Sequence, residues 1–271
     1  WTKGTLDTWD DLLQFGIKSK AAGTPVGTAL SDTSDGQMTW RSLMWSYGSA
    51  LTDETGKKVT LDSPETRQVL EYAKQLYTQA MTPEVLSWSD VSNNQYLQSG
   101  KGAWIYNPIS ALRSIEDDKA QTSQDLAKNI LIGLPLKGPK GQLMSPQWVV
   151  YGVWNWSKNI DAAKQFLFDH KTNFKESFPA SKGYNMPFEQ KLSQPPMPVL
   201  SDDPKYKVIV GVEKTVKVIG YPGPNTVAAN QSLDNNVITV MFNDYATGKS
   251  SADAAVAKAV KAAQAIYDKA G

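Results

Sequence analysis

The segment Leu6-Asp7-Thr8-Trp9-Asp10-Asp11-Leu12 contains a complete start signal for an α-helix. Thr8 is a favourable N-cap residue, and Asp11 stands three residues later, where its carboxylate can bond back to the cap. Apolar residues then recur at helical spacing, namely Trp9, Leu12, Leu13 and Ile17. The sequence therefore predicts a capped, amphipathic first helix that ends at the turn Ala22-Gly23-Thr24-Pro25.

The same kind of signal recurs further along the chain. Ser63-Pro64-Glu65 places a capping residue, a first-turn proline and an acid ahead of an apolar stripe, which predicts another helix. Helical periodicity also covers residues 160–170 and the end of the chain from about Val256. Short apolar runs predict strands over 26–30, 130–134 and 148–154. Gly138-Pro139-Lys140-Gly141 predicts a turn. Helices that alternate with short strands are typical of an α/β protein.

Composition removes several classes of function. Among 271 residues there is no cysteine and one histidine, His170, so disulfides, thiolate catalysis, cysteine-ligated metals and a histidine triad within one chain are excluded. A net charge of +1 gives no basic surface for nucleic acid, and no apolar run approaches the ~20 residues of a membrane span. No glycine-rich dinucleotide or phosphate-binding motif occurs, and nothing indicates a cofactor or a metal.

One catalytic arrangement stays open at this point. Glycoside hydrolysis needs two carboxylates that can be far apart in sequence. The candidate acids are Asp32, Asp35, Asp53, Asp90 and Asp244. Nothing in the sequence distinguishes them from ordinary surface, turn and capping acids.

Aromatic residues are abundant, with nine tryptophans and eleven tyrosines. Large aromatic side chains contribute strongly to burial, so about two thirds of them are assigned to the core. The remainder suffices to line a cleft that stacks on the apolar face of a sugar ring.

Several segments, in order along the chain, resemble the bacterial extracellular solute-binding proteins of family 1, the sugar-binding type. The similar segments are Leu6–Leu12, Val59–Glu65, Ser99–Trp104, Leu134–Gly141, Ser157–Leu167, Gly183–Pro187 and Thr247–Ser250 before an alanine-rich helix. The resemblance extends over nearly the whole chain. It departs from the family at the start, because members begin with a further stretch of more than a hundred residues.

The resemblance implies an α/β fold of the periplasmic-binding-protein type II, with two lobes. It places residues 1–131 and 180–271 in a nearly complete C-terminal lobe and residues 132–179 in a partly present N-terminal lobe. We therefore expect a preceding N-terminal segment, and a secretory leader that has been removed.

The resemblance also implies a function. A member of this family is the substrate-binding component of an ABC importer, which binds a sugar or oligosaccharide in an aromatic cleft, closes about a hinge and delivers it to a membrane permease. On this basis we expect a bacterial periplasmic or extracellular monomer, with a lipid anchor as an option, and no enzyme activity. The alternatives are a receptor for a polyol or glycerophosphate-type solute, a carbohydrate-active hydrolase, and a module for adhesion or sensing.

The ligand-binding residues are assigned by position within this resemblance. Trp40, with Gln37 in the loop before it, and Trp88 occupy positions suited to the cleft wall. Asn107 matches a loop that carries a stacking tryptophan in maltodextrin-binding relatives, where this chain has Ser110. The remaining two candidates are Trp148, beside the hinge, and Tyr184 in a glycine-tyrosine loop. Five other aromatic residues are assigned to packing, namely Tyr72, Tyr77, Trp104, Trp154 and Trp156.

Overall fold

The computed structural model describes residues 6–147, 149–187, 190–193 and 196–270. Contacts divide the chain into two compact units: unit 1 consists of residues 1–146 and 215–271, and unit 2 of residues 147–214. The expected lobe boundaries at 131 and 179 remain a prediction. No described helix is long and apolar enough to cross a membrane.

Unit 1 is built mainly from helices around one hydrophobic core. Its helices are α1 (Trp9–Ala21), α2 (Ser34–Tyr47), α3 (Pro64–Gln79), α4 (Ser92–Gln98), α5 (Ser110–Asp117), α6 (Gln121–Asn129), α9 (Val227–Asp234), α10 (Val237–Ala246) and α11 (Ala252–Ala270), and a 3-10 turn covers Pro83–Leu86. The antiparallel strands β1 (Lys137–Gly138) and β2 (Gly141–Gln142) form a short hairpin. The turn predicted over 138–141 is thereby confirmed.

The predicted helix starts of unit 1 are confirmed. Thr8 accepts a hydrogen bond from the backbone N–H of Asp11 at 3.0 Å, and the Asp11 carboxylate accepts one from the backbone N–H of Thr8 at 3.2 Å. Ser63 caps α3 in the same way, through the backbone N–H of Thr66 at 3.1 Å. Each cap satisfies a backbone donor that the first turn of a helix leaves without an intrahelical partner.

Three short segments of unit 1 run side by side in parallel, as expected for an α/β protein. Val26 bridges to Met81, and Gly27 bridges to Ile105, so the segment around 25–27 lies between the other two. The backbone N–H of Val26 donates to Ala80 at 3.1 Å, and that of Gly27 donates to Trp104 at 2.9 Å. The carboxyl ends of these parallel segments therefore lie at one edge.

The core of unit 1 lies between α2, α3, α10 and α11. Trp40 of α2 is fully buried and stacks on Phe242 of α10, with ring centroids 4.9 Å apart. Trp9 of α1 donates from its indole nitrogen to the Ser46 hydroxyl at 2.9 Å, so its polar atom is satisfied inside the core. Full burial of such side chains contributes roughly 1.5–3 kcal/mol each to the hydrophobic stabilisation.

Unit 2 contains α7 (Ile160–Thr172), α8 (Phe174–Ala180) and the 3-10 turns Gln190–Leu192, Lys207–Ile209 and Val212–Thr215, the last of which ends at the unit boundary. The predicted helix over 160–170 is confirmed as α7. Buried residues of unit 2 include Phe178, Met197, Leu200, Tyr206 and Ile209. None of the described residues of α7 is buried, and Phe166 is 68% exposed, so its predicted apolar face is not a core face here.

The strand predictions are wrong in two places and too long in a third. Residues 130–134 and the described residues 149–154 form no strand. A strand depends on ladder hydrogen bonds to a neighbour, and the described residues provide no neighbouring strand for these apolar runs. In the run 26–30, only Val26 and Gly27 form bridges. The carbonyl oxygens of Ala29 and Leu30 instead accept hydrogen bonds from the side chains of Trp40 and Asn243, each at 2.8 Å.

Candidate functional site

A group of polar side chains gathers where the parallel segments of unit 1 end. Asp35 follows the segment around 25–27, Asn93 follows the one around 81, and Asn107 follows the one around 105. In α/β proteins, ligands bind outside the carboxyl ends of parallel strands, because the loops that leave the sheet there bring side chains from several strands together. We call Asp35, Asn93, Asn94, Asn107 and Ser110 the polar cluster.

Hydrogen bonds link every member of the polar cluster. The side-chain amide of Asn93 donates both to the Asp35 carboxylate and to the Asn107 side-chain oxygen. The Asn107 amide nitrogen donates to the side-chain oxygen of Asn94 at 2.9 Å and to the Ser110 hydroxyl at 3.3 Å. A chain of three amides and one hydroxyl with fixed directions presents both donors and acceptors.

Burial changes across the polar cluster. Asp35 and Asn93 are buried, at 7% and 2% exposure, whereas Asn94, Asn107 and Ser110 are only partly buried. The buried pair therefore supports the three residues that solvent or a ligand can reach. Groups held by such a second layer of hydrogen bonds keep their orientation before a ligand arrives.

The Asp35 carboxyl is held in an environment that disfavours its charge. Burial raises its pKa from 3.8 to about 6, the hydrogen bond from Asn93 lowers it in part, and the charge of Asp90 raises it further. Asp90 is exposed, and one of its oxygens accepts hydrogen bonds from the backbone N–H and the hydroxyl of Ser34, both at 2.8 Å. Two neighbouring acids thus occupy different environments at the start of α2.

Two of the residues predicted to bind ligand belong to the polar cluster, namely Asn107 and Ser110. Trp88 precedes Asn93 closely in the chain, but its side chain is only 7% exposed. Its ring packs against Gly27 and lies 5.1 Å from the ring of Tyr96. A Cβ at Gly27 would come within 2.2 Å of that ring, so only glycine allows this close approach. In this structure Trp88 packs against Gly27 and Tyr96, and its predicted binding role stays a prediction.

Gln37 and Trp40 point away from the polar cluster, although both lie on α2. The amide nitrogen of Gln37 donates to the Asn236 side chain at 2.7 Å and to the Leu233 carbonyl at 3.2 Å. Trp40 has no exposed surface, and its indole nitrogen donates to the Ala29 carbonyl. Neither side chain presents a surface to a ligand in this conformation, so their predicted binding roles stay predictions.

Of the remaining two candidates, Tyr184 lies among the described residues and Trp148 does not. Tyr184 belongs to unit 2, where it is 42% exposed and its backbone N–H donates to the Ser181 carbonyl at 3.0 Å. Trp148 lies outside the described residues.

Two aromatic residues assigned to packing are instead exposed. Trp154 and Trp156 of unit 2 are 70% and 74% exposed and stack on each other at 5.7 Å. Tyr72 is buried as expected, and its hydroxyl donates to the Trp9 carbonyl at 2.5 Å.

The sequence contains a partial signal for the missed members of the polar cluster. Asn93 and Asn94 lie in the polar run that follows Trp88, which indicates a solvated segment but no partner. Asp35 lies among other acids with nothing to distinguish it. Its proximity to Asn93, 58 residues away, depends on the parallel pairing of the segments before them.

The described residues contain no group of three or more histidine, cysteine or acidic side chains that could hold a metal ion. A surface depression of about 550 Å³ lies along α11 and is lined by Asp62, Ala257, Val260, Lys261, Gln264, Ala265 and Asp268. It contains no member of the polar cluster. The polar cluster is an ordered array of three amides, one hydroxyl and one acid, and it has the donors and acceptors needed to recognise hydroxyl groups.

Comparisons with known proteins identify the family and the fold of the chain. A family model for bacterial extracellular solute-binding proteins matches residues 1–180. No curated protein sequence matches the chain.

Similar solved structures are sugar-transport and solute-binding proteins. A sugar transporter from Arthrobacter chlorophenolicus A6 with bound laminaribiose is 18% identical, with a TM-score of 0.76 over 97% of this chain and 65% of its own. The T. maritima protein MalE3 bound to maltose is 21% identical, with a TM-score of 0.76 over 97% and 66%.

A third similar structure binds a polyol. It is an ABC transporter solute-binding protein from Agrobacterium radiobacter K84 in complex with ribitol, 15% identical, with a TM-score of 0.75 over 97% of this chain and 65% of its own. At these identities the structures show the fold alone. The chain spans about two thirds of the length of each.

Proposed function

Because the chain belongs to the bacterial extracellular solute-binding proteins, we propose that it is the receptor of an ABC importer and binds a sugar or oligosaccharide reversibly. It acts outside the cytoplasmic membrane of a bacterium, as a monomer, and passes its ligand to a membrane permease. The observation that carries the sugar assignment is the polar cluster at the carboxyl ends of the parallel segments, with Asn107, which is partly buried, at its centre.

Sugar recognition needs donors and acceptors in pairs. Each hydroxyl of a sugar both donates and accepts, and desolvating it without a partner costs about 1–3 kcal/mol. Asn94, Asn107 and Ser110 supply both functions within one linked network. Asp35 and Asn93 hold that network in place from the buried side. Solute specificity then follows from which hydroxyls find a partner.

Ligand binding by the proposed mechanism involves closure of two lobes about a hinge, and aromatic faces stack on the sugar. Closure is stabilised because both lobes contact the ligand only in the closed form. Trp40, Trp88, Trp148 and Tyr184 remain the proposed aromatic contacts, and Gln37 a proposed polar one. Neither Trp40 nor Trp88 presents an open face in this conformation, so their participation requires local rearrangement.

A polyol is the second candidate ligand. Ribitol is bound by one of the similar structures, and the polar cluster would bind an open-chain polyol through the same hydrogen-bond donors and acceptors. A polyol has no ring face, so it would depend on the polar cluster and not on the aromatic side chains. A hydrolase is less well supported, because Asp35 is buried and bonded to Asn93 instead of facing solvent.

The test is isothermal titration of the full-length protein with maltose, laminaribiose, a longer oligosaccharide and ribitol. We expect saturable binding to one of these and no conversion of it, as followed by chromatography. Asn107→Ala should weaken binding by about tenfold, because one net hydrogen bond contributes roughly 1 kcal/mol and its neighbours lose their orientation. Asn129→Ala, at an exposed position of α6, is the matched control.

Three outcomes are informative. Absence of binding to every carbohydrate and polyol would overturn the proposed function. Wild-type affinity in Asn107→Ala would overturn the role of the polar cluster and leave the family assignment in place. Accumulation of hydrolysis products would favour the hydrolase.

A further inference from the structure

The hydrogen bonds of the polar cluster have directions, and these directions decide which of its atoms remain for a ligand. An asparagine side chain has two N–H donors and an oxygen that accepts, and a serine hydroxyl has one donor. Members whose donors are used within the polar cluster hold it together. Members with an unused donor are left to engage a ligand.

Both donors of Asn93 are used inside the polar cluster. One goes to the Asp35 carboxylate and the other to the side-chain oxygen of Asn107. The side-chain oxygen of Asn93 accepts the backbone N–H of Asn94 at 2.8 Å, which fixes the orientation of the Asn93 amide. Because Asn93 is also only 2% exposed, it orients its neighbours and does not reach a ligand.

The donors of Asn107 are used in the same way. Its amide nitrogen carries two hydrogens and has three acceptors within reach, namely the Asn94 side-chain oxygen at 2.9 Å, the Pro108 carbonyl at 2.8 Å and the Ser110 hydroxyl at 3.3 Å. Its side-chain oxygen accepts from Asn93. Asn107 therefore keeps only acceptor capacity, and its main effect is to fix the positions of Asn94 and Ser110.

Two partly buried members of the polar cluster keep unused donors. The side-chain oxygen of Asn94 is held by Asn107, whereas its amide nitrogen donates to no atom of the described residues. The Ser110 hydroxyl accepts from Asn107, and its own hydrogen has no acceptor in the described part of the chain. Both side chains are anchored on the same nitrogen of Asn107, so the two unused donors belong to one local patch.

We propose that Asn94 determines the specificity of the site by donating from its amide nitrogen to an oxygen of the ligand, with the Ser110 hydroxyl donating beside it. A ligand without an oxygen at this place leaves the Asn94 amide unpaired once water is displaced, which weakens binding by about tenfold or more. The ligand oxygen acts here as an acceptor. This inference rests on the proposed solute-binding function and names the contact through which the polar cluster acts.

The test is isothermal titration of the full-length protein with derivatives of whichever of maltose, laminaribiose and ribitol it binds. In each derivative one hydroxyl is replaced either by fluorine, which keeps an acceptor and removes the donor, or by hydrogen, which removes both. At the hydroxyl that meets Asn94, wild type should bind the hydrogen derivative about tenfold more weakly than the parent compound. The affinity for the fluorine derivative should lie between the two.

Asn94→Asp tests the residue directly, because it keeps the oxygen that Asn107 binds and replaces the donor with a second acceptor. The variant should lose the preference for fluorine over hydrogen at that position. Gln95→Glu is the matched control. It adds the same charge at the next residue, which is exposed and outside the polar cluster, and it should keep the preference.

Ser110→Ala covers the case in which Asn94→Asp does not fold, because it removes the second donor and should also abolish the preference at one hydroxyl position. Equal binding of the fluorine and hydrogen derivatives to wild type at every position would overturn this inference and leave the proposed function in place. An unchanged preference in both variants would do the same. Absence of binding to all three parent compounds would overturn the proposed function, and this inference with it.

Discussion

Two helices of nearly equal length, α2 with 14 residues and α7 with 13, have opposite surroundings. Every residue of α2 from Asp35 to Tyr47 is buried, although the helix contains an acid, an arginine, a glutamine and several hydroxyls. None of the described residues of α7 is buried, although Phe166, Leu167 and Phe168 follow one another in it. Apolar content alone therefore does not decide which helix forms the core.

The neighbours of each helix explain the difference. Within unit 1, α2 packs against α3, α10 and the hairpin of β1 and β2, so that both its apolar and its polar faces are covered. Within unit 2, α7 packs against α8, which follows it directly in the chain. Polar groups of α2 are satisfied by buried partners, such as the Thr39 hydroxyl, which is 2.7 Å from that of Thr28.

The largest expected effect is the loss of the α2 core. Trp40→Ala removes a fully buried ring that stacks on Phe242 and donates to the Ala29 carbonyl, and should lower the free energy of unfolding by about 3–5 kcal/mol. Phe166→Ala, on exposed α7, should change it by no more than about 0.5 kcal/mol. Urea unfolding followed by circular dichroism measures both, and similar losses in the two variants would contradict the comparison.

A smaller effect concerns the buried acid of α2. Asp35 has a folded-state pKa of about 6 and an ordinary value of 3.8, so the folded state holds its proton more tightly than the unfolded state does. The stability that this proton provides is complete below about pH 4 and is lost as the pH rises through about 6. Asp35→Asn mimics the protonated acid and should raise the free energy of unfolding at pH 8 by up to about 3 kcal/mol, with little change at pH 4.

The measurement is urea unfolding of Asp35→Asn and wild type between pH 4 and pH 8. Asp161→Asn, in the first turn of exposed α7, is the matched control and should change stability by no more than about 0.5 kcal/mol. Equal pH profiles for wild type and Asp35→Asn would show that Asp35 is not destabilised by its surroundings.

The smallest expected effect concerns the helix caps. The Thr33 hydroxyl accepts the backbone N–H of Gly36 at 3.1 Å, so Thr33→Ala should cost about 1 kcal/mol. Asn159 precedes α7 without a capping hydrogen bond from its side chain, and Asn159→Ala should leave stability within about 0.5 kcal/mol. Denaturant midpoints compare the two, and an equal cost at both positions would refute the assignment of the caps.

Much of the helical structure was predictable because its signals are local. The capping box of Thr8 and Asp11, the Ser63-Pro64 start of α3 and the periodic apolar residues of α11 each lie within a few turns of chain. The strands over 130–134 and 148–154 were not predictable in this way. The hydrogen-bond partners of a strand come from elsewhere in the chain, and the sequence of an apolar run does not indicate whether such a partner strand exists.

The candidate site also contains residues that the sequence was enough to select and residues that it was not. Asn107 and Ser110 are three residues apart in one loop, and a resemblance over that loop was enough to select both. Asp35 and Asn93 were not selected, since they meet only through the parallel pairing of the segments before them. Trp40 was assigned to a cleft wall from the resemblance, and that role stays a prediction. In this structure residues 34–37 before it form the first turn of α2, and its ring is fully buried.

By itself, the sequence determined the caps, most of the long helices, the turn at 138–141 and the membership of the family, because each depends on residues close together or on their order in the chain. The tertiary structure alone decided which helix is buried and how the polar cluster is assembled. These features depend on contacts between residues that are distant in the chain. Those contacts set the burial and the electrostatic environment of each residue, so neither property can be predicted from a single segment of the sequence.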